Sequence, residues 1–386
     1  MNKVTNSIIE TLMQYEGDRV LSLYIPTHRF PTPPNVQEDQ IRYKNMIRLG
    51  YEKWQGHDDN DAKRKTFQLL ESVIDDLDFW QHTIESLAVF ASQDGIKLYY
   101  LPIDCEERIF VGPTYDITPL LLLKEINQPF YVFALAAHNS KLFRGDMYNL
   151  EPVEINFPAS PEAALKIDEM YSAGKSIRSR ESTGGAAASG SSRGQGEAIQ
   201  AVQEERRKYF RLIDKLIIKS TKLDSKRPFL IATTGSKASD YKAVSKLPNL
   251  VATHIRGNYT MAKLQDLHLL AWRMIQANVV YPMMQLKVAQ FKEMWGLQKA
   301  SRDLDDIIRA AKAERVDNLM MCLLDLETNT ETETTNDALY IRYFKGFDLN
   351  DILPLVRSVA KQGGSIMGID RALLPHGTTV AAIYRY

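Results

Sequence analysis

The sequence predicts a mixed α/β protein built from three domains. Its 386 residues exceed the roughly 100–200 that one domain usually holds. Short β-type runs and helical periodicities alternate along the chain, the pattern of layered α/β units. A glycine- and serine-rich tract, "SIRSRESTGGAAASGSSRGQGEAIQAVQEERRKYF" from Ser176 to Phe210, has strand signals on both sides. It therefore interrupts a domain and does not link two.

The first domain is expected over residues 1–113. "MNKVTNSIIETLMQYEGD" is amphipathic and interrupted by charge, with no secretory apolar core. Val20–Ile25 reads as a buried strand ended by Pro26, and "FPTPPNVQ" makes Thr27–Asn35 a stiff extended loop. Apolar residues at three- and four-residue spacing place helices over Gln37–Trp54 and Asp61–Trp80. The cluster "HDDND", His57–Asp61, lies in the turn between them, where an N-cap explains it better than a metal site does. "SLAVFAS", "GIKLYYLPI" and "RIFVGP" are strands.

The second domain is expected over 114–278, opening with "ITPLLLLKEI". "FYVFALAA", "SKLFRGD" and "LEPVEI" form a meander, followed by the tract at 171–196. A long helix spans Glu197–Lys219, with Ile199, Val202, Tyr209, Ile213 and Leu216 or Ile217 on one face. Strand "RPFLIATT", a helix from Ser239, strand "LVATHI" and a helix over Thr260–Ala277 complete a mixed sheet with helices. The third domain, 279–386, combines helices "PMMQLKVAQFKEMWG", "DLDDIIRAAKAE" and "DLNDILPLVRSVAKQGG" with strands "VDNLMMCLL", "SIMGID" and "TTVAAIYRY". It reads as a small α/β/α sandwich, with the polar loop "ETNTETETTND" inserted.

Bulk composition narrows the function. Lys plus Arg and Asp plus Glu are both 48, so any nucleic-acid contact rests on a local patch. The two cysteines, Cys105 and Cys322, lie far apart in apolar surroundings, which fits a reducing cytosol and excludes a disulfide scaffold or a cysteine zinc site. The longest apolar run, "TPLLLLK", is too short to span a bilayer. A cytoplasmic protein with no membrane partner is expected.

One local patch stands out. Residues 171–196 hold six Gly and seven Ser, with Lys175, Arg178, Arg180 and Arg193 against one acid, Glu181. Such a segment cannot pack a core. Arg206–Arg227 adds nine basic residues against two acidic ones, beginning with Arg206, Arg207 and Lys208. A basic loop rooted on a basic helix is a footprint for phosphate backbone; the competing reading is an insertion without a role. His28 in "PTHR" has no Ser, Cys or Asp beside it in sequence, which favours a structural or RNA-contact role over acid–base chemistry. "ATTGSKASD" lacks the spacing of a phosphate loop, and "GQGE" follows no strand. The seven histidines are scattered without ligand spacing. No metal or cofactor is expected.

"LSLYIPTHR" with "IRYKNMI", "DFWQHTIESLAVFAS", "FYVFALAAHNSKLFRGD", "RAAKAERVDNLMM" and "VAAIYRY" together resemble the bacterial members of the archaeo-eukaryotic release-factor and Pelota superfamily, in order and over essentially the whole chain. The resemblance implies an N-terminal domain directed at the decoding centre, a ribonuclease-H-like middle domain and a C-terminal L30e-like sandwich. It implies a 70S ribosome partner, with 16S and 23S rRNA contacts in the A site, and no DNA. Thr27, His28 and Arg29 would face the decoding centre, while Lys175, Arg178, Arg180, Arg206, Arg207 and Lys208 would meet rRNA. Termination factors of the family carry Gly-Gly-Gln before a long helix, and its Gln positions the water that attacks peptidyl-tRNA. The matching residues here are Arg193, Gly194, Gln195 and Gly196. Arg193 stands where the first glycine should, and that backbone needs a conformation open mainly to glycine. Two readings follow: a non-catalytic hibernation factor, with elongation factor Tu as a possible partner, or a peptidyl-tRNA hydrolase acting through Gln195. A nuclease reading finds no carboxylate cluster in the middle segment.

Overall fold

The computed structural model describes residues 3–17, 19–54, 60–136, 139–158, 160, 163, 195–220, 223–235, 237–324, 342–343, 349–374 and 378–386. Contacts divide the chain into two compact units: Met1–Asn127 with Val280–Tyr386, and Gln128–Val279.

In the first unit, α1 (Asn6–Gln14) is capped by Thr5, whose hydroxyl accepts from the Ile8 amide, and it buries Ile9 and Leu12. Strand β1 (Val20–Pro26) sits inside a four-stranded sheet of order β3-β2-β1-β4, with β2 (Ser86–Ser92), β3 (Gly95–Leu101) and β4 (Arg108–Gly112), every pairing antiparallel. Helix α2 (Pro33–Lys53) packs on β1 and β4, and α3 (Asn60–Glu71) packs on β2 and β3. At Gly50 the helix meets the sheet so closely that a Cβ would lie 2.5 Å from Ile109 Cδ1 and 2.9 Å from Leu21 Cδ1. A side chain there would force the ends of Ile109 and Leu21 to shift within the packed interface.

Two expectations are corrected here. The loop expected over Thr27–Asn35 ends earlier, because Pro33 and Pro34 occupy the first turn of α2. Proline belongs there: its missing N–H is one the helix start leaves unpaired anyway. The side chain of Asn35 closes the turn by accepting from the Thr32 amide at 3.0 Å. The helix expected over Asp61–Trp80 breaks after Glu71 and resumes as α4 (Leu77–Trp80). Asp76 accepts from the Phe79 amide at 3.0 Å, the local bond by which aspartate starts a new helix in place of continuing an old one. Trp80 is fully buried and donates to the Val73 carbonyl at 2.8 Å. The expected turn at His57–Asp61 lies largely outside the described residues.

Cys105 follows β3 and is 1% exposed, with burial first among the causes that push its thiol up to about 12. The nucleophile is the thiolate. Iodoacetamide at pH 8 is therefore expected to leave Cys105 unmodified in the folded protein and to label it after denaturation, as peptide mass mapping would read. Helix α5 (Thr118–Ile126), with Leu120–Leu123 all buried, closes this stretch.

The second unit holds a five-stranded sheet ordered β7-β6-β5-β8-β9. Strands β5 (Phe130–Ala134), β6 (Lys141–Gly145) and β7 (Leu150–Val153) form an antiparallel meander. Strands β8 (Phe229–Thr233) and β9 (Ile255–Arg256) extend it in parallel from β5. Three antiparallel strands followed by two parallel ones in this order is the ribonuclease-H-like arrangement. Helix α6 (Gln195–Lys219) presents Tyr209, Phe210, Ile213 and Ile217 to Tyr131, Phe133, Phe229 and Ile231 of the sheet. Of the expected apolar face, the side chains of Ile199 and Val202 lie outside the description, and Ile217, not Leu216, is the buried residue at the end. Short α7 (Lys237–Lys242) adds Tyr241 to this core, and α8 (Leu264–Ile275) follows.

The expected strand "LVATHI" is mostly absent: Leu250 makes only an isolated bridge to Phe229, and pairing resumes at Ile255. Between them Lys242 Nζ donates to the Ala252 carbonyl, taking an acceptor that a continuous ladder would have used.

After a π-helical turn, Gln276–Val280, come α9 (Tyr281–Gly296), edge strand β10 (Ala300–Ser301) and α10 (Leu304–Lys312). Strand β11 (Val316–Leu324) centres the last sheet. It pairs antiparallel with β12 (Arg342–Tyr343) and β14 (Val380–Tyr384) and parallel with β13 (Ser365–Asp370). Helix α11 (Leu349–Lys361) is the crossover that a parallel pair requires. It stops at Gly363, whose φ of +74° suits glycine. Helix α5 packs against β13. The polar loop expected near 326–336 lies outside the described residues. Among the described residues no helix is long and apolar enough to cross a membrane.

Candidate functional site

The end of β1 carries Thr27, His28 and Arg29, and the fold surrounds them with residues from α2 and the start of β2. Thr27 hydroxyl donates to the Ile84 carbonyl and its amide donates to Glu85 O at 2.8 Å. Arg29 makes a two-pronged contact with Glu85, Nε to Oε1 at 2.5 Å and Nη2 to Oε2 at 2.6 Å. Both side chains are largely buried, so this charge is already matched.

His28, which has no Ser, Cys or Asp beside it in sequence, meets an acidic partner in the fold. Asp39, eleven residues on, lies on the first turns of α2 and is fully buried. Its Oδ2 accepts from the His28 amide at 3.0 Å, and its Oδ1 lies 2.9 Å from His28 Nδ1. Arg42 Nη1 donates to the same Oδ1 and to the Pro26 carbonyl, both at 3.1 Å, while its other nitrogens reach Glu38 at 2.8 Å and Glu107 at 3.1 Å. Burial holds the Asp39 carboxyl above its ordinary value, against the opposing pull of the His28 contacts and the Arg42 charge.

His28 Nδ1 faces Asp39, and its Nε2 lies 3.9 Å from Glu38 Oε2 at the exposed edge of the ring. Geometrically this is a histidine–aspartate pair, but Thr27 hydroxyl is committed to a carbonyl and offers no nucleophile. The pair fixes a ring. Four carboxylates, Glu38, Asp39, Glu85 and Glu107, surround two arginines, so the site is no phosphate cradle. What faces outward is the His28 edge and Phe30, 55% exposed and held at φ 57°. A bulky residue in the left-handed region is an outlier of the kind that clusters at functional sites. An exposed aromatic beside an oriented imidazole suits stacking on and hydrogen bonding to unpaired bases.

In the second unit, Gln195 and Gly196 open α6, while Lys175, Arg178, Arg180, Arg193 and Gly194 lie outside the described residues. Arg206 makes an ion pair with Asp240 at 2.5 Å, so it ties α6 to α7; Arg207 is half-buried and Lys208 exposed. About two turns beyond Arg206, buried Asp214 accepts from Tyr241 hydroxyl at 3.1 Å, Ser245 hydroxyl at 2.5 Å and the Lys246 amide at 2.8 Å. Burial first, and then the charge of Asp214, push the Tyr241 hydroxyl well above its ordinary value, keeping it a donor.

The structure thus gathers Thr27, His28 and Arg29 in one unit and Gln195, Arg206, Arg207 and Lys208 on one helix of the other. Sequence reasoning missed Asp39, Arg42, Glu85 and Asp214. Only the three-residue spacing of Asp39 and Arg42 on a helix could have pointed to any of them. Among the described residues no group of three or more His, Cys, Asp or Glu could hold a metal ion.

Comparison with known proteins gives a family-model match over part of the chain. Residues 129–315 match Bacterial archaeo-eukaryotic release factor family 3. No curated protein matches the chain. Among solved structures, an archaeal translation termination factor is similar at 12% identity, covering 98% of this chain and 96% of its own, with a TM-score of 0.24. Archaeoglobus fulgidus Pelota is similar at 10% identity, covering 100% and 94%, with a TM-score of 0.36. An archaeal Pelota described as ribosome-bound is similar at 11% identity, covering 100% and 95%, with a TM-score of 0.34.

Proposed function

Because residues 129–315 match the model of bacterial archaeo-eukaryotic release factor family 3, we propose that this protein is a cytoplasmic ribosome-binding translation factor that occupies the A site without catalysing peptide release. The observation that carries the reading is the span of the family match. It takes in both the basic glycine- and serine-rich tract at 171–196 and the helix Gln195–Lys219 that roots it. In this reading the tract meets rRNA phosphates near the peptidyl-transferase centre, and the His28–Phe30 tip meets bases at the decoding centre. The functional modules are residues 1–113, 114–278 and 279–386. Elongation factor Tu is the proposed delivery partner and ribosome hibernation the proposed role.

The tip is the weaker phosphate ligand, because its arginines are already paired with carboxylates. Affinity is therefore assigned to the tract and to Lys208. Deleting Ser176–Gly196 removes Arg178, Arg180 and Arg193. This deletion is expected to weaken binding to vacant 70S ribosomes about tenfold and to reduce the salt slope by about 2. Sedimentation binding at several salt concentrations reads both, and unchanged binding would refute the assignment.

The second reading, peptidyl-tRNA hydrolysis, is favoured by one residue: Gln195 stands at the first position of α6, where the family's catalytic glutamine precedes its helix. Arg193 argues against it, since the neighbouring backbone must reach conformations that glycine adopts freely. Release of labelled peptide from ribosome-bound peptidyl-tRNA separates the two. Hibernation predicts no release, and release lost in Gln195→Ala would establish the hydrolase.

A further inference from the structure

A cavity of about 650 Å³ opens between the end of α9, β10, α10 and the last strand, lined by Trp295, Gln298, Ser301, Arg309, Arg315 and Tyr384 among others. We propose that it binds an unstacked nucleotide, with the base against Trp295 and the phosphate on Arg309 and Arg315. The volume falls within the roughly 300–1,000 Å³ of small-molecule sites.

Four observations converge on this chemistry. Trp295 is 43% exposed, a costly display for a residue that normally buries its ring. Cations stand beside the aromatic walls: Arg302 lies 5.2 Å from the Trp295 ring, and Arg315 lies 5.2 Å from the Tyr384 ring. Interleaved arginine and aromatic planes are what single-stranded nucleic-acid sites use, because every base has a π-face and every nucleotide a phosphate. Arg315 donates Nη2 to the Tyr386 carbonyl at 3.1 Å, yet its Nε is buried with no hydrogen-bond partner. Asp306, the one acid in the lining, pairs with Arg309, but both side chains are solvent-exposed and such a surface pair contributes little, so a phosphate can take its place, unlike the largely buried pairs at the β1 tip.

Backbone conformation agrees. Gln298 lines the cavity at φ 60°, and Glu314, next to Arg315, sits at φ 57°. Each ends a helix in the left-handed position that glycine usually fills. In each case the next amide bonds back, Lys299 to Met294 at 2.8 Å and Arg315 to Ala310 at 2.9 Å. Of the two closures, the one at Gln298 lies in the cavity wall itself, and the one at Glu314 sets the start of the segment that carries Arg315.

A free mononucleotide and a nucleotide extruded from RNA present the same chemistry, and binding to the isolated full-length chain separates them. The inference does not rest on the ribosome reading: ribosomes are absent from the test, so failure here leaves that reading untouched. The probes are adenosine and uridine monophosphates, ribose 5-phosphate and a mixed-sequence RNA hexamer, titrated by calorimetry and tryptophan fluorescence. The other three tryptophans, Trp54, Trp80 and Trp272, are buried, so quenching reports Trp295.

Monophosphates are expected to bind and quench, with Trp295→Ala and Arg309→Gln each weakening them about tenfold; that result supports a free nucleotide. Binding of the hexamer alone, with the same two losses, supports an RNA nucleotide. Ribose 5-phosphate binding as tightly as a nucleotide overturns the proposal, as does no binding by any probe, or nucleotide binding that both variants retain. Both substituted residues are exposed, and circular dichroism verifies that the variants fold.

Discussion

Asp214→Ala is expected to destabilise the Gln128–Val279 unit by about 3 kcal/mol, because the carboxylate is 3% exposed and accepts three hydrogen bonds. Bonds to a charged acceptor contribute roughly 1.5–3 kcal/mol each in mutational series. Not all of that is lost, since Ser245 can turn its hydroxyl elsewhere. Tyr241 cannot: it is fully buried, and its hydroxyl would face the gap left by the missing side chain. An unpaired buried donor carries the full desolvation cost. Asp214→Asn keeps the shape and one acceptor and is expected to lose about half as much. Denaturant titration with hydrogen exchange across Gln195–Lys219 measures both variants. A loss under about 1 kcal/mol for alanine would show that packing of Tyr209, Ile213 and Ile217, not this network, holds the helix. The consequence extends to function, because the same helix roots the basic tract.

How much of this was legible depends on how local each cause is. Long periodic elements read well: the buried run of β1, the helix ending at Lys219 and the strand Val316–Leu324 all announce themselves by hydrophobic pattern. Breaks were harder. Pro33 and Pro34 signal a loop by composition but a helix start by position, and only the Thr32–Asn35 turn decides between them. The failure of "LVATHI" as a strand depends on Lys242 reaching Ala252, a contact no window of sequence contains. The candidate site divides the same way. His28 and Arg29 stand out as polar residues ending an apolar strand, whereas Glu85 meets Arg29 across 56 residues because β1 and β2 pair antiparallel. The Trp295 cavity joins the end of one helix to the last strand, and nothing in local spacing foretells that.

Asp39→Ala is expected to be the most damaging single change at the β1 tip, costing about 3–5 kcal/mol, the range for breaking a buried charge network by removing one partner. Asp39 is the only side chain there that meets both His28 and Arg42 while fully buried. Without it the His28 amide loses its acceptor and ring Nδ1 its partner, and the Arg42 charge keeps only the exposed Glu38 and Glu107. Asp39→Asn behaves differently, and pH exposes why. Burial raises the folded carboxyl above its ordinary 3.8, so the folded state holds this proton more tightly than the unfolded chain does. The stability linked to that proton is present below 3.8 and is lost as pH rises through the folded value. Asparagine cannot ionise, so wild type should lose stability relative to Asp39→Asn as pH rises from the ordinary value, and urea titrations of both proteins across that window would show it. A gap that widens in favour of wild type over the same window would mean that the Arg42 and His28 charges outweigh burial.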